Sequence, residues 1–255
     1  MALEQPDRAI LLPLQTSSPY NFYTGSALQT VLTGSPISSL GQLMPGPLQK
    51  DNILYHFYQK PREIKRALIF SGEAIEAERI EQYTHRVIKK PSFSFAVSDG
   101  FDLETKQHIL NGFQLDSFDL FFGQLSDLDY VGHLSGGAWV LDEAVFQTAK
   151  IVKSIIKRMT NDTVLLVYGS NQARENGQHM DEGESVLFAF SKLGFPMKAK
   201  HPGADKIPVK LEDLAAISSS ILDVKIPFSN LGFVHPWFVL GETSNTTLSK
   251  NRENL

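Results

Sequence analysis

Residues 137–169, GAWVLDEAVFQTAKIVKSIIKRMTNDTVLLVYG, contain a long amphipathic pattern that runs directly into a short apolar one. Apolar side chains recur every three or four residues from 137 to 159, and this spacing predicts a helix with one buried face. The run 163–168 is largely apolar and is followed by Gly169, which predicts a buried strand. The predicted buried face comprises Leu141, Ala144, Val145, Thr148, Val152, Ile155, Ile156 and Met159.

Four cations near the end of this helical segment lie off the apolar stripe: Lys150, Lys153, Lys157 and Arg158. Positive charge is favourable near the C-terminus of a helix. We therefore interpret these side chains as a solvated helix face rather than as a ligand-binding patch.

The two patterns alternate along much of the chain, which predicts an α/β fold with a mostly parallel sheet and helices on both faces. In such sheets, ligands bind at the carboxyl ends of the strands. A short helix is predicted at 24–33, closed by Gly34. Further strands are predicted where apolar runs end at turn residues, at 67–70, 92–97, 118–125 and 186–190.

The length and composition indicate one large domain. The 255 residues are expected to form a single domain over 1–255, with irregular ends at 1–19 and 240–255. The net charge of −4 without a basic block argues against nucleic-acid binding, and the absence of cysteine excludes disulfides and thiolate chemistry. The sequence contains neither an apolar run of about 18 residues, as a membrane-spanning helix needs, nor a signal-peptide layout at its start.

The loops that follow the predicted strands carry a candidate metal site. Asp129 and His133 are four residues apart, so a helical turn would place both side chains on one face. Together with His179 they would form a three-ligand zinc site with one open position. The alternative is that these are hydrogen-bonded loop residues without a metal.

Thr24 is a candidate nucleophile, because it stands at the predicted start of a helix, where free backbone N–H groups suit a phosphate. The alternative is an ordinary threonine N-cap.

Several segments occur in an order that is typical of one enzyme family. Thr24 stands nine residues before Thr33-Gly34-Ser35. The later segments are SDLDYVGH at 126–133, NDTVLLV at 161–167, GSNQA at 169–173, GQHMD at 177–181 and ILDVKIPFSNLG at 221–232. Together they resemble the GPI ethanolamine phosphate transferases of the alkaline phosphatase superfamily, most closely the type 3 members. The nine-residue spacing and the last segment are the most specific parts of this resemblance.

The resemblance implies an alkaline-phosphatase-like fold and two metal ions, typically zinc. One ion would be held by Asp129, His133 and His179. The second would be held by Thr24, by an aspartate on the first strand, and by Asp and His at the positions that Ser170 and Asn171 occupy here. No matching first-strand motif precedes Thr24, so we expect the fold to lack its first strand and the second metal site to be degenerate.

The resemblance also implies the function. Such an enzyme transfers phosphoethanolamine from phosphatidylethanolamine to a mannose of the GPI precursor, through an intermediate on Thr24, with its catalytic domain in the lumen of the endoplasmic reticulum. The membrane would be reached through segments absent from this chain. Two alternatives stay open: a catalytically weak or inactive relative that binds one metal ion, and a plain α/β interaction domain. Two N-x-T glycosylation triplets, at Asn161 and Asn245, would fit the lumen.

Overall fold

The computed structural model describes residues 7–16, 24–35, 51–59, 67–71, 86–89, 101–115, 118–133, 138–169, 184–195 and 207–238. The chain divides into two compact units, and the expectation of a single domain over 1–255 stays a prediction. The first unit comprises Met1–Lys60, Asn161–Gln172 and Met180–Leu255, and the second comprises Pro61–Thr160 and Ala173–His179.

Strands and helices alternate as the sequence predicted. The strands are β1 Asp7–Gln15, β2 Ala67–Ser71, β3 Arg86–Lys89, β4 Leu120–Gly123, β5 Val164–Tyr168, β6 Glu184–Phe195 and β7 Val209–Lys210. The helices are α1 Thr24–Thr33, α2 Ile53–Gln59, α3 Phe101–Leu115, α4 Asp127–His133, α5 Ala138–Arg158 and α6 Asp213–Leu222, followed by a 3₁₀ turn at Pro236–Phe238.

The first unit contains a four-stranded sheet in the order β5-β6-β1-β7. β6 pairs antiparallel with both β5 and β1, whereas β7 pairs parallel with β1. β5, β1 and β7 therefore run in one direction. The second unit contains the parallel sheet β3-β2-β4. The predicted α/β class with mostly parallel strands is confirmed.

The N-terminal segment departs from the prediction. Residues 7–15 form β1, an inner strand of the sheet, so the expectation of an irregular end at 1–19 and of a missing first strand is wrong for this stretch. Pro13 obscured the pattern, because proline is uncommon inside sheets. At Pro13, β1 pairs with β6 on one side, whereas β7, on the other side, pairs only with Leu14 and Gln15. Among the described strands, Pro13 therefore has one neighbour, and its missing N–H is tolerated.

The core of the first unit lies on one face of this sheet. Ile10, Leu12 and Leu14 alternate with solvent-facing residues along β1, as expected for a strand with period two. Helices and the 3₁₀ turn cover these side chains through Ala27, Val31, Leu214, Ile217, Trp237 and Phe238. Each fully buried side chain of this size contributes about 1.5–3 kcal/mol through burial.

The predicted helix at 137–159 is confirmed as α5, but its buried stripe is shifted. Among its described side chains, Ile151 and Ile155 are buried, as is Met159 directly after the helix, whereas Val145 is 50% exposed. The predicted solvated face is also confirmed, since all four of its cations are exposed. Lys150 additionally lies 4.1 Å from the ring centroid of Phe146, within reach of a cation–π interaction.

Most predicted strands are confirmed with altered bounds. The prediction at 118–125 shortens to β4, and the one at 186–190 lengthens to β6. The predicted strand at 92–97 and the irregular end at 240–255 lie outside the described residues. In the part of the chain that the structure describes, every helix is too short or too polar to cross a bilayer.

Candidate functional site

The predicted site residues fall into two groups. Thr24 is the first residue of α1 in the first unit, and Asp129 and His133 both lie on α4 in the second unit. His179, Ser170 and Asn171 lie outside the described residues, as do the side chains of Thr24 and His133. Convergence of Asp129, His133 and His179 on one metal ion therefore stays a prediction. Among the residues that are described, no three metal-binding side chains cluster.

The helical spacing expected for the metal ligands is present. Asp129 and His133 are four residues apart on α4, which puts them on the same helix face. Asp129 is exposed, and it lies in the first turn, where a negative charge interacts favourably with the helix dipole. The backbone of α4 therefore has the spacing that the predicted ligand pair requires.

A buried carboxylate holds the start of α4. Asp102, in the first turn of α3, is only 2% exposed. Its carboxylate accepts the backbone N–H of Ser126 at 2.8 Å and that of Asp127 at 3.2 Å. In return, the Asp127 carboxylate accepts the backbone N–H of Asp102 at 3.3 Å. Each of the two helices is therefore capped by a side chain from the other.

Two glycines let α3 approach β4 closely enough for this exchange. A Cβ at Gly112 would lie 2.3 Å from Cε1 of Phe121, and one at Gly123 would lie 3.0 Å from Cγ2 of Thr105. The Thr105 hydroxyl also donates to the carbonyl of Gln124, at 3.4 Å, in the loop that leads into α4. α3, β4 and the start of α4 are thus packed and bonded together.

The other group of motifs meets at the end of α1. Gly34 has a φ of +70° and donates its N–H to the Thr30 carbonyl at 2.7 Å, closing the helix. The Thr33 hydroxyl donates to the Gln29 carbonyl at 2.9 Å and accepts the Ser35 N–H at 3.2 Å. The T-G-S turn is therefore a helix C-cap stabilised by its own side chain.

Residues 227–232, the P-F-x-N-L-G segment at the end of ILDVKIPFSNLG, pack on this turn. Leu231 donates its N–H to the Gly34 carbonyl at 2.8 Å, and a Cβ at Gly34 would lie 1.6 Å from Oδ1 of Asn230. Asn230 donates through Nδ2 to the Gly232 carbonyl at 2.7 Å. The two segments that make the resemblance most specific are thus in direct contact. Thr24 begins the same helix, about 13 Å from the capped end at 1.5 Å per residue.

Asp213 links Phe233, the residue that follows this segment, to β7. Its carboxylate accepts the Lys210 N–H at 2.8 Å and the Phe233 N–H at 2.7 Å. Burial raises the pKa of Asp213 above the usual aspartate range, although these two hydrogen bonds oppose the shift. Sequence reasoning did not identify Asp213 or Asp102, since neither has a partner at a recognisable spacing.

The ligands of the expected second metal ion would lie at the carboxyl ends of β1 and β5. β1 and β5 run in the same direction, so their carboxyl ends lie at the same edge of the sheet. β1 ends at Gln15, followed by the buried Thr16, and β5 ends at Tyr168, two residues before Ser170. The described residues at the end of β1 therefore contain no carboxylate.

The chain is similar in sequence to named transferases. GPI ethanolamine phosphate transferase 3 of Saccharomyces cerevisiae (strain ATCC 204508 / S288c) is 25% identical over 205 residues, which covers 73% of this chain and 19% of that protein. The catalytic subunit of GPI ethanolamine phosphate transferase 3 of Homo sapiens is 23% identical over 239 residues, 90% of this chain and 21% of that protein. The chain thus spans about a fifth of the length of these relatives. The resemblance predicted from the motifs is confirmed.

The fold also has a counterpart among solved structures. The PH0037 protein from Pyrococcus horikoshii aligns with a TM-score of 0.53 over 86% of each chain, at 9% sequence identity. At this identity the likeness concerns the fold alone. No protein-family model matches the chain.

Proposed function

We propose that this chain acts in GPI-anchor biosynthesis, as a domain that transfers phosphoethanolamine from phosphatidylethanolamine to a mannose of the GPI precursor. The observation that carries the proposal is the similarity to two named transferases over 73% and 90% of this chain. The contact between the T-G-S turn and the P-F-x-N-L-G segment supports it, because both parts of the motif pattern serve one local structure.

Thr24 is the proposed nucleophile. Its hydroxyl oxygen would form a bond to the phosphorus of phosphatidylethanolamine while the bond from phosphorus to the glycerol oxygen breaks, and the hydroxyl proton would pass to the departing diacylglycerol. A mannose hydroxyl oxygen would then bond to phosphorus, and the Thr24 oxygen would leave and regain a proton. The position of Thr24 at the start of α1 supports this role, because free N–H groups there suit a phosphate.

Zinc is the proposed cofactor, held by Asp129, His133 and His179. A carboxylate and two imidazoles form a donor set that zinc accepts, with one position open. The exposed Asp129, one helical turn before His133, is consistent with this set. A zinc ion bound there would supply charge stabilisation for the phosphate and would acidify the attacking mannose hydroxyl.

The alternative is a relative that binds one metal ion and turns over slowly or not at all. Ser170 and Asn171 are neutral where the family has Asp and His, and β1 is followed by Thr16 rather than by a carboxylate. A threonine hydroxyl is a weak nucleophile unless a base or a metal ion lowers its pKa. The loss of the second ion would therefore cost the first step most of its rate.

Zinc content and phosphodiester cleavage together distinguish the transferase, the degenerate relative and the plain interaction domain. Two zinc ions per chain would favour the transferase, one would favour the degenerate relative, and none would favour a plain α/β interaction domain. Under the transferase reading, Thr24→Ala abolishes cleavage of a phosphoethanolamine diester, whereas Gln29→Ala on the same helix leaves it unchanged. Cleavage that survives in Thr24→Ala would exclude Thr24 as the nucleophile.

Repair of the degenerate positions tests the alternative directly. Ser170→Asp combined with Asn171→His should raise cleavage if the missing ligands limit the rate. No gain would contradict that reading and would point to the end of β1 as the larger defect.

The proposed compartment is the lumen of the endoplasmic reticulum, with membrane contact through segments outside this chain. Asn161 lies exposed in the turn between α5 and β5, where a glycan would not disturb the core. We expect an endoglycosidase-sensitive mobility shift that Asn161→Gln reduces. A chain without glycan at Asn161 or Asn245 would argue against lumenal exposure.

A further inference from the structure

We propose that Asp102 is a positioning residue for the metal-ligand pair Asp129 and His133, through its hydrogen bonds to the start of α4. This inference rests on the proposed function, which assigns Asp129 and His133 to a zinc ion. It goes beyond that function, because Asp102 lies outside every motif that carries the resemblance, 24 residues before Ser126.

α4 depends on tertiary contacts for its existence. It has only seven residues, and helices shorter than about 12 residues are marginal on their own in water. Asp129 and His133 share a helix face only while this short helix is formed. A contact that stabilises the first turn of α4 therefore also maintains the spacing of Asp129 and His133.

Asp102 stabilises the first turn of α4, and it lies on a longer helix, α3. α3 has 15 residues and packs on β4, with the Phe113 and Phe121 rings 4.6 Å apart at their centroids. The carboxylate projects from this helix, is almost fully buried, and bonds the N–H groups of two consecutive residues, Ser126 and Asp127. Asp129 follows these residues directly.

The bond in the reverse direction makes the arrangement specific. Because Asp127 accepts the N–H of Asp102, rotation of α4 about its axis would break bonds at both helix starts at once. A single cap would stabilise α4 without setting its orientation relative to α3. The reciprocal pair sets both, and with them the backbone positions of Asp129 and His133 relative to α3.

The test compares zinc affinity in the wild-type 255-residue chain and in three variants. Asp102→Asn keeps the shape of the side chain but replaces one acceptor oxygen with a donor, and we expect it to weaken zinc binding by about 10- to 100-fold, as loss of a supporting partner does in other metal sites. His133→Ala removes a ligand and should weaken binding more. Asp142→Asn, which neutralises an exposed carboxylate on α5 of the same unit, is the charge-matched control and should leave the affinity unchanged.

Amide hydrogen exchange supplies the second readout. In Asp102→Asn, the Ser126 and Asp127 amides should exchange faster, while amides of α1 and β6 in the first unit keep their protection. Full zinc stoichiometry at lower affinity, measured well below the melting temperature, would distinguish positioning from general loss of structure. A folded Asp102→Asn variant with wild-type zinc affinity would overturn the inference.

The outcomes also separate this inference from the proposed function. A wild-type chain that binds no zinc contradicts the proposed metal site and, with it, the positioning of ligands by Asp102. Zinc binding without diester cleavage contradicts the transferase reading only, and the affinities of the variants then still decide the role of Asp102.

Discussion

Two glycine positions show how single residues control the packing of the P-F-x-N-L-G segment, against the T-G-S turn at Gly34 and against the residues at the start of α6 at Gly232. Gly34 adopts a left-handed φ and touches the side chain of Asn230. A Cβ at Gly232 would lie 2.4 Å from the carbonyl oxygen of Glu212, which is backbone and has no rotamer to change. At both positions, the absence of a side chain is a packing requirement.

Gly34→Ala should destabilise the first unit by about 2–4 kcal/mol, combining the left-handed backbone penalty with the clash against Asn230. Urea unfolding measures the change in the free energy of unfolding. A double-mutant cycle with Asn230→Ala measures most of the clash, because the alanine at 230 removes the two nearest obstructing atoms, Oδ1 and Cγ, and leaves the backbone penalty and the contact with Cβ at 2.8 Å. Equal costs in both backgrounds would contradict the packing argument.

Asp213 predicts a specific pH dependence of stability. Its folded-state pKa is raised by burial, so the contribution of this group to stability is largest when it is protonated and falls as the pH rises through that raised pKa. The neutral Asp213→Asn variant lacks this contribution. The free energy of unfolding of the wild type minus that of the variant should therefore decrease with rising pH above the unfolded-state pKa and then level off. A difference that increases over this range would contradict the raised pKa.

At the scale of elements, β1 is the clearest departure from the sequence prediction. Burial alternates from Ala9 to Gln15, with Leu12 at 1% and Leu11 at 67% exposure. Pro13 and the serines that follow interrupt the pattern in sequence. The sequence shows no period of two, because the outward-facing Leu11 is as apolar as the buried Leu12. Pairing with β6 and β7 makes this segment a strand.

Substitutions at these two neighbours test the register of β1. Leu12→Ala should lower the free energy of unfolding by about 2–5 kcal/mol, because it leaves a cavity in the core. Leu11→Ala should change it by about 0.5 kcal/mol or less, since the side chain is largely in water already. Chemical denaturation of both variants provides the comparison. Similar costs for the two would mean that β1 does not have this register.

At the scale of the whole molecule, the proposed ligands Asp129 and His133 belong to one compact unit and the proposed nucleophile Thr24 to the other. Each unit has its own sheet, and the second is inserted in sequence between parts of the first. Metal binding is therefore expected to affect the two units unequally.

Removal of zinc by a chelator should lower the exchange protection of α4 while leaving α1, β1 and β6 unchanged. Ligand that binds only the folded state stabilises it by about 2.7 kcal/mol at 100 times its dissociation constant, so zinc at that excess should restore protection. Hydrogen exchange followed by mass spectrometry resolves the segments. Equal loss of protection in both units would contradict a zinc site confined to the second unit.

The sequence by itself determined the α/β class, the helices α1 and α5, most strands, and the helical spacing of Asp129 and His133. These features depend on periodic burial and on turn residues, which act locally and leave a repeating pattern along the chain. Only the tertiary structure decided that Gly34 meets Asn230 and Leu231, that Asp102 caps α4, and that β1 is an inner strand. Each of these is a hydrogen bond or a strand pairing between segments far apart in sequence. Such contacts depend on which segments the fold brings together, and they leave no repeating pattern in the sequence.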